Sequence, residues 1–308
     1  MNRGAFPASA ALLLLVFSAH AGVDAAPFDP ARPAWREVEL GASKFLMSAS
    51  ARIALAEPKR AEAVAGLRQP PEGTAVPAPQ RLLQMRYAAN LAGQRTDMTL
   101  LLDPLSAAAL QFELRDSGRR HRERIWRYTD IGAFHWTAKP ANDSERALPP
   151  ARWTERSSGL RLYPVDSGDG AVTDATALIY AIAAANYAKP GDAITLRVFS
   201  RRRMHKVRAE YAGATAVNAD FRQFAGGSES RRKGKLPAWR IVVSGTTTAT
   251  PGDDDDDRFT LLGLNDGIEL ALDPTTRLPL QLSGDAPVVG RVTFRLKSTT
   301  LRAAAAGS

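Results

Sequence analysis

Residues 291–297, RVTFRLK, decide the fold class of this chain. Their apolar and polar side chains alternate without a break: Val292, Phe294 and Leu296 against Arg291, Thr293, Arg295 and Lys297. A period of two puts the apolar side chains on one face of a strand and the polar ones on the other. Because one face is then buried and the other hydrated, the pattern is typical of an antiparallel sheet that covers a core.

Other stretches of the chain repeat this pattern. Alternating apolar positions occur at Ile194, Leu196 and Val198, at Val207, Ala209 and Tyr211, at Trp239, Ile241 and Val243, and at Ile268, Leu270 and Leu272. Short runs bounded by turn residues, at 96–102, 110–115, 122–128 and 133–138, predict hairpins. Residues 35–55 supply one or two further strands. The sequence therefore predicts a mainly β protein.

A single long helix is predicted, over about residues 174–188. Thr173 or Asp174 can cap its first turn, and Lys189-Pro190-Gly191 ends it. The residues between are almost wholly apolar, which is typical of a helix buried on more than one side. We expect a curved antiparallel sheet, or a partly open β-barrel, wrapped on this helix.

The first 21 residues have the composition of a secretory signal peptide. Arg3 precedes an apolar run from Ala10 to Phe17, and the small-residue ending Ala19-His20-Ala21 follows. This predicts cleavage near Ala21 and a location in the periplasm of a Gram-negative cell. The apolar run is shorter than the ~20 residues that cross a bilayer, and no later stretch reaches that length, so no transmembrane segment is expected. The chain has no cysteine, which excludes disulfides, a thiol nucleophile and a cysteine-linked lipid anchor.

The mature chain divides by composition. Residues 22–57 are expected to pack on the main domain, residues 58–80 to form a Pro-rich exposed loop, and residues 303–308 to form a disordered tail. Residues 81–302 form the β domain with its buried helix, interrupted by a polar interval at 140–170. Leu102-Asp103-Pro104 and Leu272-Asp273-Pro274 each end an apolar strand, but Asp-Pro is an ordinary turn opening and does not predict a duplication.

Several spaced residues between Arg81 and Leu301 resemble a family of exported bacterial proteins, the domain of unknown function 3108. The matching positions are Thr173-Asp174, Tyr180, Gly191-Asp192, Leu278-Pro279 and Gly290. Ala183 stands where the family helix often has arginine, and the acidic run near Asp253 is not a family feature. The resemblance implies a periplasmic β-rich fold with a curved sheet and without assigned catalytic residues.

The net charge of +9 has two interpretations: it attracts an anionic partner, or it only keeps the protein soluble. Export makes nucleic acid an unlikely partner, which leaves lipid head groups, lipopolysaccharide or cell-wall polymers, reached by peripheral contact. Two basic clusters, on or beside strands, supply the candidate ligand-binding residues: Arg120, Arg122, Arg124 and Trp126, and Arg201, Arg202, Arg203 and Lys206. A third cluster, Arg231-Arg232-Lys233 with Lys235, falls in a predicted loop. Alternation alone would place these side chains on the outer surface, as solvated charge.

The remaining polar residues do not form a motif that indicates a reaction. Asp253 to Asp257 lacks the spacing of a calcium loop and is expected at a hairpin tip, between strands that end near Thr248 and start near Arg258. His121, His135 and His205 lack the spacing of a zinc site, and no nucleophile elbow occurs. The sequence therefore names no catalytic residue, no metal ligand and no cofactor.

Three functions remain open. The first is a non-enzymatic envelope protein that binds lipid or another anionic component. The second is a periplasmic hydrolase acting on cell-wall or lipid substrates, with a carboxylate pair or a Ser/His pair. The third is a structural partner in an envelope assembly. A polar cleft with a histidine near an acid would favour the hydrolase, and a purely aliphatic cavity would oppose it.

Overall fold

A computed structural model describes residues 27–44, 47–91, 93–164, 170–200, 203–247, 258–287 and 289–302. In these residues the strands are β1 (Trp35–Lys44), β2 (Met47–Ala56), β3 (Leu83–Leu91), β4 (Gln94–Leu102), β5 (Ala109–Ser117), β6 (Arg122–Tyr128), β7 (Gly132–Lys139), β8 (Glu155–Leu162), β9 (Val172–Thr173), β10 (Ala193–Ser200), β11 (Arg203–Ala225), β12 (Ser228–Thr247), β13 (Asp266–Leu272), β14 (Pro279–Ala286) and β15 (Gly290–Leu301). The helices are α1 (Arg60–Ala65), α2 (Asp143–Arg146) and α3 (Leu178–Ala184). The signal-peptide prediction and the predicted tail lie outside the described residues.

All the described strands belong to one large sheet, which confirms the mainly β prediction. The strand order is β8-β7-β6-β5-β4-β3-β2-β1-β15-β14-β13-β12-β11-β10-β9, so neighbours in the chain are nearly always neighbours in the sheet. The sheet is mixed rather than purely antiparallel, because β9 pairs with β10, and β11 with β15, in parallel. Both parallel pairings are two or three residues long and join segments that are distant in sequence.

The predicted hairpins are present with nearly the predicted bounds. β6 spans residues 122–128 as predicted, and the runs at 96–102, 110–115 and 133–138 lie within β4, β5 and β7. β8 was missed, because its sequence ERSSGLRL is polar except at Leu160 and Leu162 and lies in the interval predicted to be polar. It forms at the edge of the sheet through eight backbone register pairs with β7.

The central helix is present but shorter than predicted. A 3₁₀ turn at Ala175–Ala177 leads into α3, and all seven α3 residues are buried. The helix ends at Ala184 and not near residue 188, because Ala185 is extended and bridges to Phe28 while the Asp29 amide donates to the Ala184 carbonyl. The N-terminal segment therefore supplies a hydrogen-bond donor to a carbonyl at the end of the helix, where a further helical turn would otherwise supply it.

The Pro-rich segment 58–80 is not an exposed loop throughout. It contains α1, and Ala63 and Val64 of that helix pack on a small cluster of sheet leucines. The Val76 amide donates to the Tyr128 carbonyl, and the buried Arg127 guanidinium donates to the Val76 carbonyl at 2.8 Å. Apolar contact and backbone pairing thus hold the segment on the sheet, despite its prolines.

The two Leu-Asp-Pro segments form the same turn. The equivalent bonds are Asp103 N to Ala108 O, Ala107 N to Asp103 O, Asp273 N to Leu278 O and Arg277 N to Asp273 O, all between 2.9 and 3.0 Å. Ala107 and Arg277 occupy the same left-handed position, with φ of 57° and 58°. In each turn the aspartate carboxylate also accepts from the residues that follow it. The repeated motif therefore encodes one turn structure, used between β4 and β5 and between β13 and β14.

Candidate functional site

One face of strands β2–β8 forms the wall of a half-open cavity of about 950 Å³. Alternation selects the lining residues, since every second side chain of each strand points to this face. The strand residues that line it include Tyr87, Ala89, Thr96, Met98, Phe112, Leu114, Arg122, Arg124, Trp126, Tyr128, His135, Thr137, Lys139, Ser157 and Arg161. The opposite wall comes from later parts of the chain: Asp174–Thr176, Phe199–Ser200, Thr260–Gly263 and Phe294.

The strand register arranges this wall from polar to apolar. Thr96, Asp116 and Arg122 are neighbours in one row across β4, β5 and β6. Four residues further along each strand, Leu100, Phe112 and Trp126 form the corresponding row. The Phe112 and Trp126 ring centroids are 5.4 Å apart. Across β4–β6 the wall is thus amphipathic along the strand direction, whereas Arg161 of β8 lies level with Tyr128.

Four cations line the cavity: Arg122, Arg124, Lys139 and Arg161. The Arg122 guanidinium is held by the buried Asp116 carboxylate at 2.6 Å, and the Arg124 guanidinium lies 5.6 Å from the centroid of the Trp126 ring. Within the described ranges, the other three cations have no carboxylate within ion-pair distance. A concave wall with unpaired cations concentrates positive potential, which attracts anions.

Asp174 is the one carboxylate among the described residues that line the cavity. Its Oδ1 accepts from the Thr176 amide at 2.8 Å and from the Thr176 hydroxyl at 2.7 Å, which caps the 3₁₀ turn before α3. Burial raises the pKa of Asp174, against the hydrogen bonds from Thr176 and Tyr128 that lower it. Burial also raises the pKa of Tyr128 well above its usual value, and the nearby Asp174 raises it further. Both groups therefore favour their neutral forms more than they would in water.

The structure brings together only part of the predicted binding set. Arg122, Arg124 and Trp126 line the cavity together because they alternate along β6. The expectation that this cluster faces outward was wrong, since β6 turns the face bearing these arginines into the cavity. Arg120 lies in the turn before β6, where its amide donates to Gln94. Arg203 and Lys206 lie on β11 and not among the cavity residues, while Arg201 and Arg202 lie outside the described residues.

Two further expectations need correction. The third basic cluster lies in β12 and not in a loop. The run Asp253–Asp257 lies outside the described residues. From Arg258 onward the described chain begins its next strand, β13, only at Asp266, so the prediction of a strand start near Arg258 was wrong. Phe259 is instead buried, and its side chain sits where a Cβ on Gly245 would be.

The histidines occupy different environments. His205 is buried, with its Nδ1 3.0 Å from the Thr247 hydroxyl. His135 lines the cavity, with its Nδ1 2.5 Å from the Gly159 carbonyl oxygen. Throughout the described ranges, no three histidine, aspartate or glutamate residues are placed to hold a metal ion.

Sequence reasoning missed most of the cavity. Tyr87, Met98 and Phe112 read as ordinary core positions of alternating strands, and Lys139 and Arg161 as isolated charges. Their common face follows from the strand register, and the opposite wall comes from later segments of the chain, as far on as Phe294.

No protein-family model, curated protein or solved structure matches this chain. The resemblance to the domain of unknown function 3108 therefore stays a prediction. Among the described helices, none has both the length and the apolar composition needed to cross a membrane.

Proposed function

We propose that this protein is an exported, non-enzymatic binding protein of the periplasm that holds an amphiphile with an anionic head group. The single observation that carries the proposal is the cavity wall, which joins aromatic and aliphatic side chains to unpaired cations. Its volume of about 950 Å³ lies at the upper end of the range of small-molecule sites, about 300–1,000 Å³. The signal-peptide pattern of residues 1–21 supports export.

The proposed architecture is a curved sheet, in the manner of a partly open barrel, around α3. Complete burial of α3 and the return of β11 to β15 at Arg222–Phe224 support it. Such a sheet would give the apolar part of a ligand a dry concave surface next to the helix. The ligand's anionic end would then lie against Arg124 and Lys139, since Arg124 pairs with Thr137, two residues from Lys139 on β7.

Charge complementarity would fix the orientation of the bound amphiphile. Arg124 already stacks near Trp126, so its guanidinium can hold an anionic oxygen while its stem and the indole contact the adjoining chain. Hydrogen bonds that involve a charged group contribute about 1.5–3 kcal/mol each. A neutral ester of the same chain length should therefore bind about tenfold more weakly, since 1.4 kcal/mol is a factor of ten.

The proposal is tested by titrating the full mature protein with palmitate and with methyl palmitate, followed by tryptophan fluorescence. Arg124→Gln should weaken palmitate binding about tenfold, the equivalent of ~1.4 kcal/mol, and leave methyl palmitate unchanged. Arg115→Gln is the matched control, because Arg115 is exposed on the neighbouring strand β5, on the face opposite to Leu114. Equal affinities for acid and ester, or the same loss in both variants, would overturn the proposal.

Export has its own test. Protein recovered from the periplasmic fraction of a Gram-negative host should begin at Gly22, as read by N-terminal sequencing. Full-length protein confined to the cytoplasm would contradict it.

Hydrolysis of a lipid or cell-wall substrate is the second candidate, because His135 and Asp174 line the same cavity. Asp174 is bonded to Thr176 and His135 lies against Gly159, so both have structural partners as well. Turnover of p-nitrophenyl palmitate that is abolished by His135→Gln would favour the hydrolase over the binding protein. Absence of turnover in a protein that binds palmitate would exclude this substrate class.

A further inference from the structure

The hairpin of β11 and β12 is far longer than its role in the sheet requires. Its strands have 23 and 20 residues, whereas strands of 3–10 residues are usual. They join through Gly226-Gly227, both at positive φ, which suits a tight two-residue turn. Beyond Trp239, where the pairing of β12 with β13 ends, the hairpin continues as a ribbon whose strand β11 also pairs with β15 at Arg222–Phe224.

The two faces of this ribbon differ in character. On the inner face Phe221 is buried, and Val217, Ala219 and Leu236 pack partly against the core. On the outer face alternation places Arg222, Arg231, Lys233 and Lys235, hereafter the cationic ribbon. Every residue from Ser228 to Lys235 is exposed, as is Arg222.

The cationic ribbon breaks a local rule of sheet structure. Arg222 and Arg231 are direct cross-strand partners, and like charges in that relation are destabilising. Asp220 holds Arg231 through two bonds of 2.7 and 2.8 Å, and Arg231, Lys233 and Lys297 together lower the pKa of Asp220. On this face Arg222, Arg231, Lys233 and Lys235 outnumber the two carboxylates Asp220 and Glu229, so positive charge remains in excess. A sequence that departs from local stability at an exposed position commonly does so for function.

We propose that the cationic ribbon docks this protein onto an anionic lipid bilayer. Residues 231, 233 and 235 follow one another along a strand at about 6.8 Å intervals, so their charges form a straight exposed row. Such a row can meet many separate head groups of a surface at once. Juxtamembrane cations contribute about a factor of five in affinity each, the equivalent of ~1 kcal/mol. The inner face stays on the core, so docking requires no unfolding of the hairpin.

The docking site is independent of the cavity, because its residues are not among those that line it. The experiment measures cosedimentation of the full mature protein with vesicles of phosphatidylcholine alone or with phosphatidylglycerol added. Lys233→Gln with Lys235→Gln should lower the partition onto anionic vesicles about 25-fold, from a factor of about five for each cation. Lys59→Gln with Lys189→Gln removes the same charge from exposed positions elsewhere and should change partition less than about twofold.

Three results would overturn the docking proposal. One is equal partition onto neutral and anionic vesicles at low salt. Another is the same loss in both double variants, which would indicate net charge alone. A third is stronger competition by duplex DNA than by anionic vesicles, which would identify a nucleic-acid surface. Palmitate affinity should be unchanged in the ribbon variant, so failure of docking and failure of the cavity proposal are distinguishable.

Discussion

Tyr180→Phe tests how α3 is tied to the sheet. Tyr180 is fully buried, and its hydroxyl donates to the Pro104 carbonyl at 2.6 Å, in the first of the two Asp-Pro turns. The substitution keeps the ring and removes only this bond. A buried carbonyl left without its donor costs about 1–3 kcal/mol, so we expect the free energy of unfolding to fall by about 2 kcal/mol.

Tyr187→Phe is the matched control on the same buried segment. Its hydroxyl lies 3.4 Å from the Ala209 carbonyl, beyond the usual 2.5–3.0 Å of such bonds, so its removal should cost only about 0.5 kcal/mol. Urea unfolding measures the loss of unfolding free energy in both variants. With an m value of about 3 kcal/mol/M, the midpoint should shift by about 0.7 M for Tyr180→Phe and by under 0.2 M for Tyr187→Phe.

A smaller loss for Tyr180→Phe than for Tyr187→Phe would refute this account of α3, because it would show that hydrogen-bond geometry does not set the cost. The free energies are compared as midpoint multiplied by the m value of each variant, so that a change in the denatured state is counted as well. Palmitate binding should be unchanged in both variants, since neither residue lines the cavity.

Three further predictions concern the cavity wall and the repeated turns. Burial raises the pKa of Tyr87 to about 12, so its contribution to stability is complete below pH ~10 and is lost as the pH rises to about 12. Other buried tyrosines add to the alkaline loss of stability, so the fall between pH ~10 and ~12, followed by circular dichroism, should be smaller in Tyr87→Phe by about 2–3 kcal/mol; an equal fall in both proteins would contradict this. Asp103→Ala and Asp273→Ala should each lower the unfolding free energy by about 1–2 kcal/mol in urea, and a neutral result at either would show that the carboxylate does not stabilise that turn. Gly132→Ala should separate β8 from β7, because a Cβ there would overlap the Arg161 carbonyl; palmitate affinity should fall, since β8 lines the cavity at Ser157 and Arg161, and unchanged affinity would place β8 outside the binding contact.

The sequence predicted the strands best where one face packs on the core. β6 is found at residues 122–128 as expected, since turn residues on both sides bound the run. β8 has apolar residues only at Leu160 and Leu162 and forms because the edge of β7 offers backbone partners, so its local signal is weak. The helix start was predicted from its Asp174 cap, whereas its end depends on Phe28 and Asp29, about 155 residues away.

The candidate site likewise has a part that the sequence predicts and a part that contacts between distant segments decide. Arg122, Arg124 and Trp126 could be grouped from the sequence, because a period of two places them on one face of one strand. Whether that face meets solvent or a cavity depends on the segments packed opposite, among them Phe199 and Phe294. Composition along a strand therefore cannot distinguish an outer patch from a lined cavity.

The sequence by itself determined the β class, most strand positions, the buried helix and the two Asp-Pro turns, because alternation, capping and turn chemistry act between near neighbours. Only the tertiary structure decided the strand order, the cavity and the outward face of the β11–β12 ribbon. Those features depend on register and on contacts between residues far apart in the chain, such as Arg222–Phe224 with Ser298–Thr300. No periodic pattern within one segment specifies the partner that lies across from it.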